Sequence, residues 1–213
     1  MSGMHARLKT RTSAWHARVE RAFDLKRVVR DLDHYIWTIR CLRQAHELIR
    51  WEAERLDRQT GSGRLAMRLA WMDIDLAALG AASPPPPEME WSLASSDHLL
   101  GALYVLNGSA LGGQIILGRV CIGLGLSPRS GARYFRGDGR RTRTIWQAFL
   151  DELADIDPLS ARGDRVEQGA LQTFSLLHQL LSRTVLLRPL AVEAVEPDIP
   201  TKKLCRNLAS IAG

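Results

Sequence analysis

Residues 99–126 read Leu-Leu-Gly-Ala-Leu-Tyr-Val-Leu-Asn-Gly-Ser-Ala-Leu-Gly-Gly-Gln-Ile-Ile-Leu-Gly-Arg-Val-Cys-Ile-Gly-Leu-Gly-Leu, an apolar run long enough to cross a bilayer. As a membrane span it would place Asn107, Ser109, Gln114 and Arg119 in hydrocarbon, where the arginine is costly. Gly108 and Gly112, four apart, would suit a close helix pair there. In a water-soluble domain the same run is a helix buried all round. Each glycine inside a helix costs up to about 1 kcal/mol against alanine. A cluster of them therefore asks for something that approaches the backbone, either another helix or a flat ligand laid against it. The soluble reading is preferred and no membrane is expected as a partner.

Outward from this run the chain reads as helix. Strand patterns are weak, whereas apolar positions return at helical spacing, as in Leu32, Tyr35, Ile36, Ile39 and Leu42. The expected fold is all-α, a single-domain multi-helix bundle with helices near 5–23, 25–58, 64–80, 93–125, 142–156 and 164–186. Thr60-Gly-Ser-Gly separates two of them, and four prolines at 84–87 force an extended spacer. Ser127-Pro-Arg-Ser-Gly and Gly137-Asp-Gly bracket Tyr134 and Phe135 in a loop. The expected domain covers 1–190, followed by a partly disordered tail over 191–213.

The 213 residues, 46% hydrophobic and 24% charged, are enough to close one substantial core. The net charge of +6 is spread over the predicted helices rather than gathered in a stripe with aromatics, so nucleic acid is not an expected partner. No basic, then apolar, then small-residue leader opens the chain, and a cytoplasmic location is expected. Cys41, Cys121 and Cys205 are odd in number and lack CxxC spacing, which favours buried thiols over disulfides or zinc.

Four motifs in series resemble the haem oxygenases. Leu8-Lys-Thr-Arg-Thr-Ser-Ala-Trp-His16-Ala-Arg-Val-Glu20 resembles the family's proximal helix, and Tyr104-Val-Leu-Asn-Gly-Ser-Ala-Leu-Gly-Gly113 its distal helix. Between them, Arg68-Leu-Ala-Trp-Met-Asp-Ile-Asp-Leu-Ala-Ala-Leu-Gly80 is similar to the family helix that ends in Asp-Leu-x-x-Leu-Gly. Beyond them, Tyr134-Phe-Arg-Gly-Asp-Gly139 followed by Trp146 and Phe149 is similar to its aromatic and glycine loop. Order and spacing agree over residues 8–185, most closely with the bacterial biliverdin-producing branch that accompanies phytochromes. Two positions depart from that branch: Asn107 stands where it usually has glutamate, and Asp138 where it commonly has tyrosine.

The resemblance implies that His16 ligates the haem iron and that the sixth position is left to oxygen. Glu20, one turn on, would accept the other ring N–H directly or through water, or would simply be a solvated carboxylate. Gly108, Gly112 and Gly113 would form the distal wall, with Asn107 and Ser109 as candidates to hold ordered water there or merely to back-bond to their helix. Lys9 would meet a haem propionate, with Arg140, Arg141 or Arg143 as a second basic contact. The other histidines, among them His46, are read as structural.

The implied activity is oxidative cleavage of haem to biliverdin, carbon monoxide and ferrous iron, with O2 as co-substrate. No flavin motif is visible, so electrons would come from a partner reductase, and a bacteriophytochrome could receive the biliverdin. Two alternatives remain open: a haem or tetrapyrrole carrier without turnover, and a helix-pairing structural or membrane protein.

Overall fold

A computed structural model describes residues 3–56 and 59–183, and the chain is helical throughout most of these. The helices are α1 (Met4–Phe23), α2 (Leu25–Val28), α3 (Leu32–Arg55), α4 (Gln59–Ala78), α5 (Ser96–Leu124), α6 (Arg133–Arg136), α7 (Thr142–Ala154) and α8 (Ala161–Ser182). One 3-10 turn, Gly139–Arg141, precedes α7, and no strand occurs among the described residues. The expected tail over 191–213 and Cys205 lie outside them.

Local chemistry explains the breaks. The predicted helix over 25–58 is two helices, because Asp31 adopts an extended conformation and its carboxylate accepts from the His34 amide at 3.0 Å, capping α3 afresh. α4 ends where Gly80 turns left-handed at φ +67°, with the Ala81 amide donating back to the Leu76 carbonyl at 2.9 Å. Residues 84–87 are non-helical, as four prolines require. α8 starts earlier than its apolar pattern suggests, because the Ser160 hydroxyl accepts from the Gly163 amide at 3.1 Å. The predicted loop around Tyr134 and Phe135 contains the helical turn α6.

α8 is the element on which the rest is assembled, packed against α1, α3 and α5. Leu8, Ile39, Leu99, Leu100, Leu106, Val166 and Leu176 fill the space between these helices and are essentially inaccessible. Although α5 is apolar and long enough to span a membrane, it lies against α8, α3, α6 and α7. Cys41 is buried in α3, and burial pushes its thiol up to about 12.

Candidate functional site

α1 and α5 both lean on α8 and approach each other at the His5 and Tyr104 rings, 6.1 Å between centroids, and a cavity of about 870 Å³ is lined by both. Phe174, Leu177 and Leu181 of α8 line its base, and Tyr134, Phe135 and Trp146 line it from α6 and α7. The lining is mainly apolar with a few polar groups, the usual make-up of a small-molecule site of this size.

The orientation of α1 follows from what it does on its other side. Met4, Leu8 and Thr12, one per turn, are buried. Arg7 and Arg11 converge from α1 on Glu167 of α8, with N–O distances of 2.6 and 2.8 Å, and Arg7 also meets Asp164 at 2.7 Å. Burial favours the neutral acid at Glu167, but the hydrogen bonds from Arg11 and Arg7 outweigh it and hold the carboxyl below its usual range. With that face fixed, Lys9, Ser13, His16 and Glu20 turn to the cavity. His16 Nδ1 is 3.5 Å from Glu20 Oε1, which leaves Nε2 for another partner. The His16 ring stands edge-on to Phe174, with centroids 5.9 Å apart.

On α5 the glycines divide by position. A Cβ on Gly101 would collide with the Val166 carbonyl and stand 2.6 Å from the Ala170 amide, and one on Gly169 would collide with the His98 carbonyl. These two glycines let α5 and α8 touch backbone to backbone. Gly123 is likewise pressed on the Val29 carbonyl, and a Cβ on Gly113 would lie 2.9 Å from the Phe135 carbonyl. Gly108 and Gly112 are different. A Cβ on Gly108 would make ordinary contact with the Trp146 ring at 3.6 Å, and one on Gly112 would meet nothing within 4 Å. Both line the cavity, so close helix contact and room for a ligand each account for part of the cluster.

The remaining sequence-derived candidates fare unevenly. Ser109 lines the cavity, but its hydroxyl donates to the Leu106 carbonyl at 2.9 Å and keeps only its lone pairs for a ligand or water. Asn107 does not line it. Its Oδ1 accepts from Arg68 Nη2 at 3.1 Å, and the residue faces a neighbouring cavity of about 460 Å³. Arg140 and Arg143 are exposed in the 3-10 turn and the first turn of α7 and do not line the cavity. The chain turns through Gly137 and Gly139, both at positive φ, before reaching them. Of the basic candidates, Lys9 lines the cavity.

Several lining residues carry no functional mark in the sequence, among them His46, Arg68 and Asp138. His46 is fully buried on α3, and its Nδ1 donates to the Leu42 carbonyl at 2.8 Å, which makes Nε2 an acceptor. Burial, reinforced by the charge of Arg68, pushes its imidazole down to about 3, so the ring is neutral. The Tyr134 hydroxyl approaches that Nε2 at 3.5 Å. Arg68 is 5% exposed and donates Nη1 to the Leu106 carbonyl at 2.8 Å. Burial lowers its pKa, yet an arginine stays charged in a protein. Asp138 also lines the cavity and accepts from Arg64 at 2.9 Å. The available signals were a histidine on the apolar face of α3 and an arginine inside an apolar stretch of α4.

An imidazole on one wall, glycines set among apolar side chains of α5 on the other, and aromatic neighbours suit a flat metallated ring. Comparisons with known proteins agree in fold. The family model described as Heme oxygenase matches residues 2–183. The haem oxygenase of Neisseria meningitidis, solved in NO- and CO-bound forms, is 20% identical with a TM-score of 0.69, covering 85% of this chain and 91% of that one. The haem oxygenase of Leptospira interrogans is 19% identical with a TM-score of 0.66, covering 85% and 99%. Haem oxygenase 2 of Chlamydomonas reinhardtii, solved without haem, is 18% identical with a TM-score of 0.65, covering 87% and 99%. A sequence search of curated proteins finds no match.

Proposed function

The chain belongs to the haem oxygenase family, and from that premise we propose that it opens haem to biliverdin, carbon monoxide and ferrous iron, using O2 and electrons from a partner reductase. The observation that carries the reading is that His16 of α1 and Gly108 and Gly112 of α5 line one mainly apolar cavity. Haem, the substrate, supplies the iron at which dioxygen is reduced.

The protein's part is to seat and orient. His16 offers Nε2 to iron, and Glu20 Oε1, 3.5 Å from Nδ1, is placed to accept from that nitrogen after a small shift or through a bridging water. Lys9, two turns before His16 and exposed at the cavity, is the charge available to a propionate. Gly112 leaves space for ordered water beside the lone pairs of Ser109. His46, neutral with Nε2 as acceptor, and the Tyr134 hydroxyl form a polar pair that holds protons on that side. Arg68 can only donate, and its fixed charge favours anionic character nearby. The branch resemblance supports a bacteriophytochrome as recipient of the biliverdin, and a cytoplasmic setting goes with that.

Titration of the purified protein with haemin tests the proposal. One-to-one binding with a sharp Soret band, lost in His16→Ala, is expected. Addition of a reductant and O2, with catalase present to remove free peroxide, should then bring in biliverdin absorption. Absence of stoichiometric binding would sink the reading. A Soret band without biliverdin would identify a haem carrier instead.

A further inference from the structure

The Asp-Leu-x-x-Leu-Gly ending of α4 is not accounted for by the cavity lining, since neither Asp75 nor Leu79 reaches it. Asp75 is 0% exposed, and both its oxygens are engaged by a segment 58 and 59 residues further along the chain. Oδ1 accepts from the Arg133 amide at 2.6 Å and Oδ2 from the Tyr134 amide at 2.7 Å. These are the first two N–H groups of α6, which a helix cannot satisfy from within itself.

The rest of the motif reinforces the hold. Leu79 fills the space that a Gly131 Cβ would need, its Cδ2 lying 2.7 Å from that position. Gly131 itself is at φ +98°. The Gly131 carbonyl accepts from the Tyr35 hydroxyl at 2.7 Å. One turn before Asp75, the Trp71 ring lies under the Arg133 guanidinium at 4.1 Å, and that guanidinium donates to the Gly137 carbonyl at 2.8 Å. α4 thus grips the aromatic segment before, at and after its first helical turn.

The side chain delivered by this grip is Tyr134, edge-on to His46 with ring centroids 5.6 Å apart. We propose that Asp75 is a positioning residue for the distal side of the cleft, fixing the Tyr134 hydroxyl against His46 by holding the Arg133 and Tyr134 amides. Its consequence for turnover rests on the haem-oxygenase reading, whereas its effect on Tyr134 does not.

Asp75→Asn, isosteric but with one acceptor replaced by a donor, is the first variant, checked for native helix content by circular dichroism. The readout is the pH of the acid–alkaline spectral transition of the haemin-loaded protein, which senses polar groups beside the iron. Asp75→Asn and Tyr134→Phe should each move it in the same direction, and the double variant no further than Tyr134→Phe alone. Haemin affinity should stay within about threefold, while single-turnover ring opening slows by up to about a hundredfold, the scale expected of a group misplaced by about 1 Å. An unmoved transition in Asp75→Asn, additive shifts in the double variant, or lost affinity with an unchanged rate would each overturn the proposal. If Asp75→Asn does not fold, Leu79→Ala loosens the same grip without adding a polar mismatch, and it must shift the transition the same way or the proposal fails. A wild type that binds haemin without opening it would defeat the functional reading while leaving the transition test intact.

Discussion

His46 shows how one side chain can be unremarkable in sequence and decisive in place. At position 46 it continues the apolar stripe of α3, and only the fold sets it beside Tyr134 and Arg68. Its neutrality has a measurable consequence. The folded imidazole titrates at about 3, against 6.5 for the free side chain. Between those values the unfolded chain binds a proton that the folded chain refuses, so stability falls as the pH falls. Lowering the pH from about 6.5 to 5 should remove about 1.6 kcal/mol through this group. His34 is also lowered by burial and acts in the same direction, so the slope must be assigned by difference. The thermal midpoint of His46→Gln should accordingly depend less on pH over this window than that of the wild type. Parallel curves for the two proteins would show that His46 is not buried in its neutral form. Glu167, held below its usual range, stays ionised above pH 5, whereas burial raises the Asp75 carboxyl; both are common to the two proteins, so the difference between their curves isolates His46.

At the scale of the helix, α5 was legible as helix from its apolar run, but what its glycines do was not. The spacing of Gly101, Gly108, Gly112 and Gly123 carries no mark that separates contact from vacancy. That separation depends on where α8, the α2–α3 turn and α7 fall in space. The opposite signs expected of two alanine substitutions follow from it. Gly101→Ala drives a methyl into the Val166 carbonyl and the Ala170 amide of α8. It should cost at least about 3 kcal/mol, the upper end of ordinary overpacking, because backbone rather than a flexible side chain must move. Gly112→Ala meets nothing and removes a helix-disfavouring residue, so the apo protein should gain up to about 1 kcal/mol. The same variant should weaken haemin binding or slow its opening, since the added methyl faces the cavity. Thermal melts of the two apo variants, followed by haemin titration of the second, check both signs. Stabilisation by Gly101→Ala would contradict the close α5–α8 crossing. The α2–α3 break and α6 were missed for a related reason: Asp31 reads as an ordinary cap residue inside a long pattern, and the first turn of α6 takes its partner from α4.

Across the whole molecule, the series of motifs in α1, α4, α5 and the aromatic segment pointed to one cleft because each supplies a different wall. Arg140 in the 3-10 turn and Arg143 in α7 lie outside the cavity lining, because the turns at positive φ through Gly137 and Gly139 decide their direction and residue type alone does not. The architecture also has a thermodynamic corollary. α1 and α5 are joined mainly through α8, with the His5 and Tyr104 rings 6.1 Å apart, so a ligand seated against both would add contacts between the two walls. A ligand that binds only the folded state stabilises it by RT ln(1 + [L]/Kd), roughly 2.7 kcal/mol at a hundredfold excess over Kd. For a chain of this size that corresponds to a rise of roughly 5–10 °C in thermal midpoint. Haemin should produce such a rise in the wild type. In His16→Ala, at the same haemin concentration, the rise should shrink but not vanish, because the apolar and aromatic lining still buries the ring after the iron bond is lost. Metal-free protoporphyrin should give the wild type an intermediate rise and should not distinguish it from His16→Ala, since neither complex contains an iron–imidazole bond. Equal rises for haemin and protoporphyrin in the wild type would mean that the ring occupies the cleft without His16 as its ligand, and no rise with either would mean that this cavity is not where the ring binds.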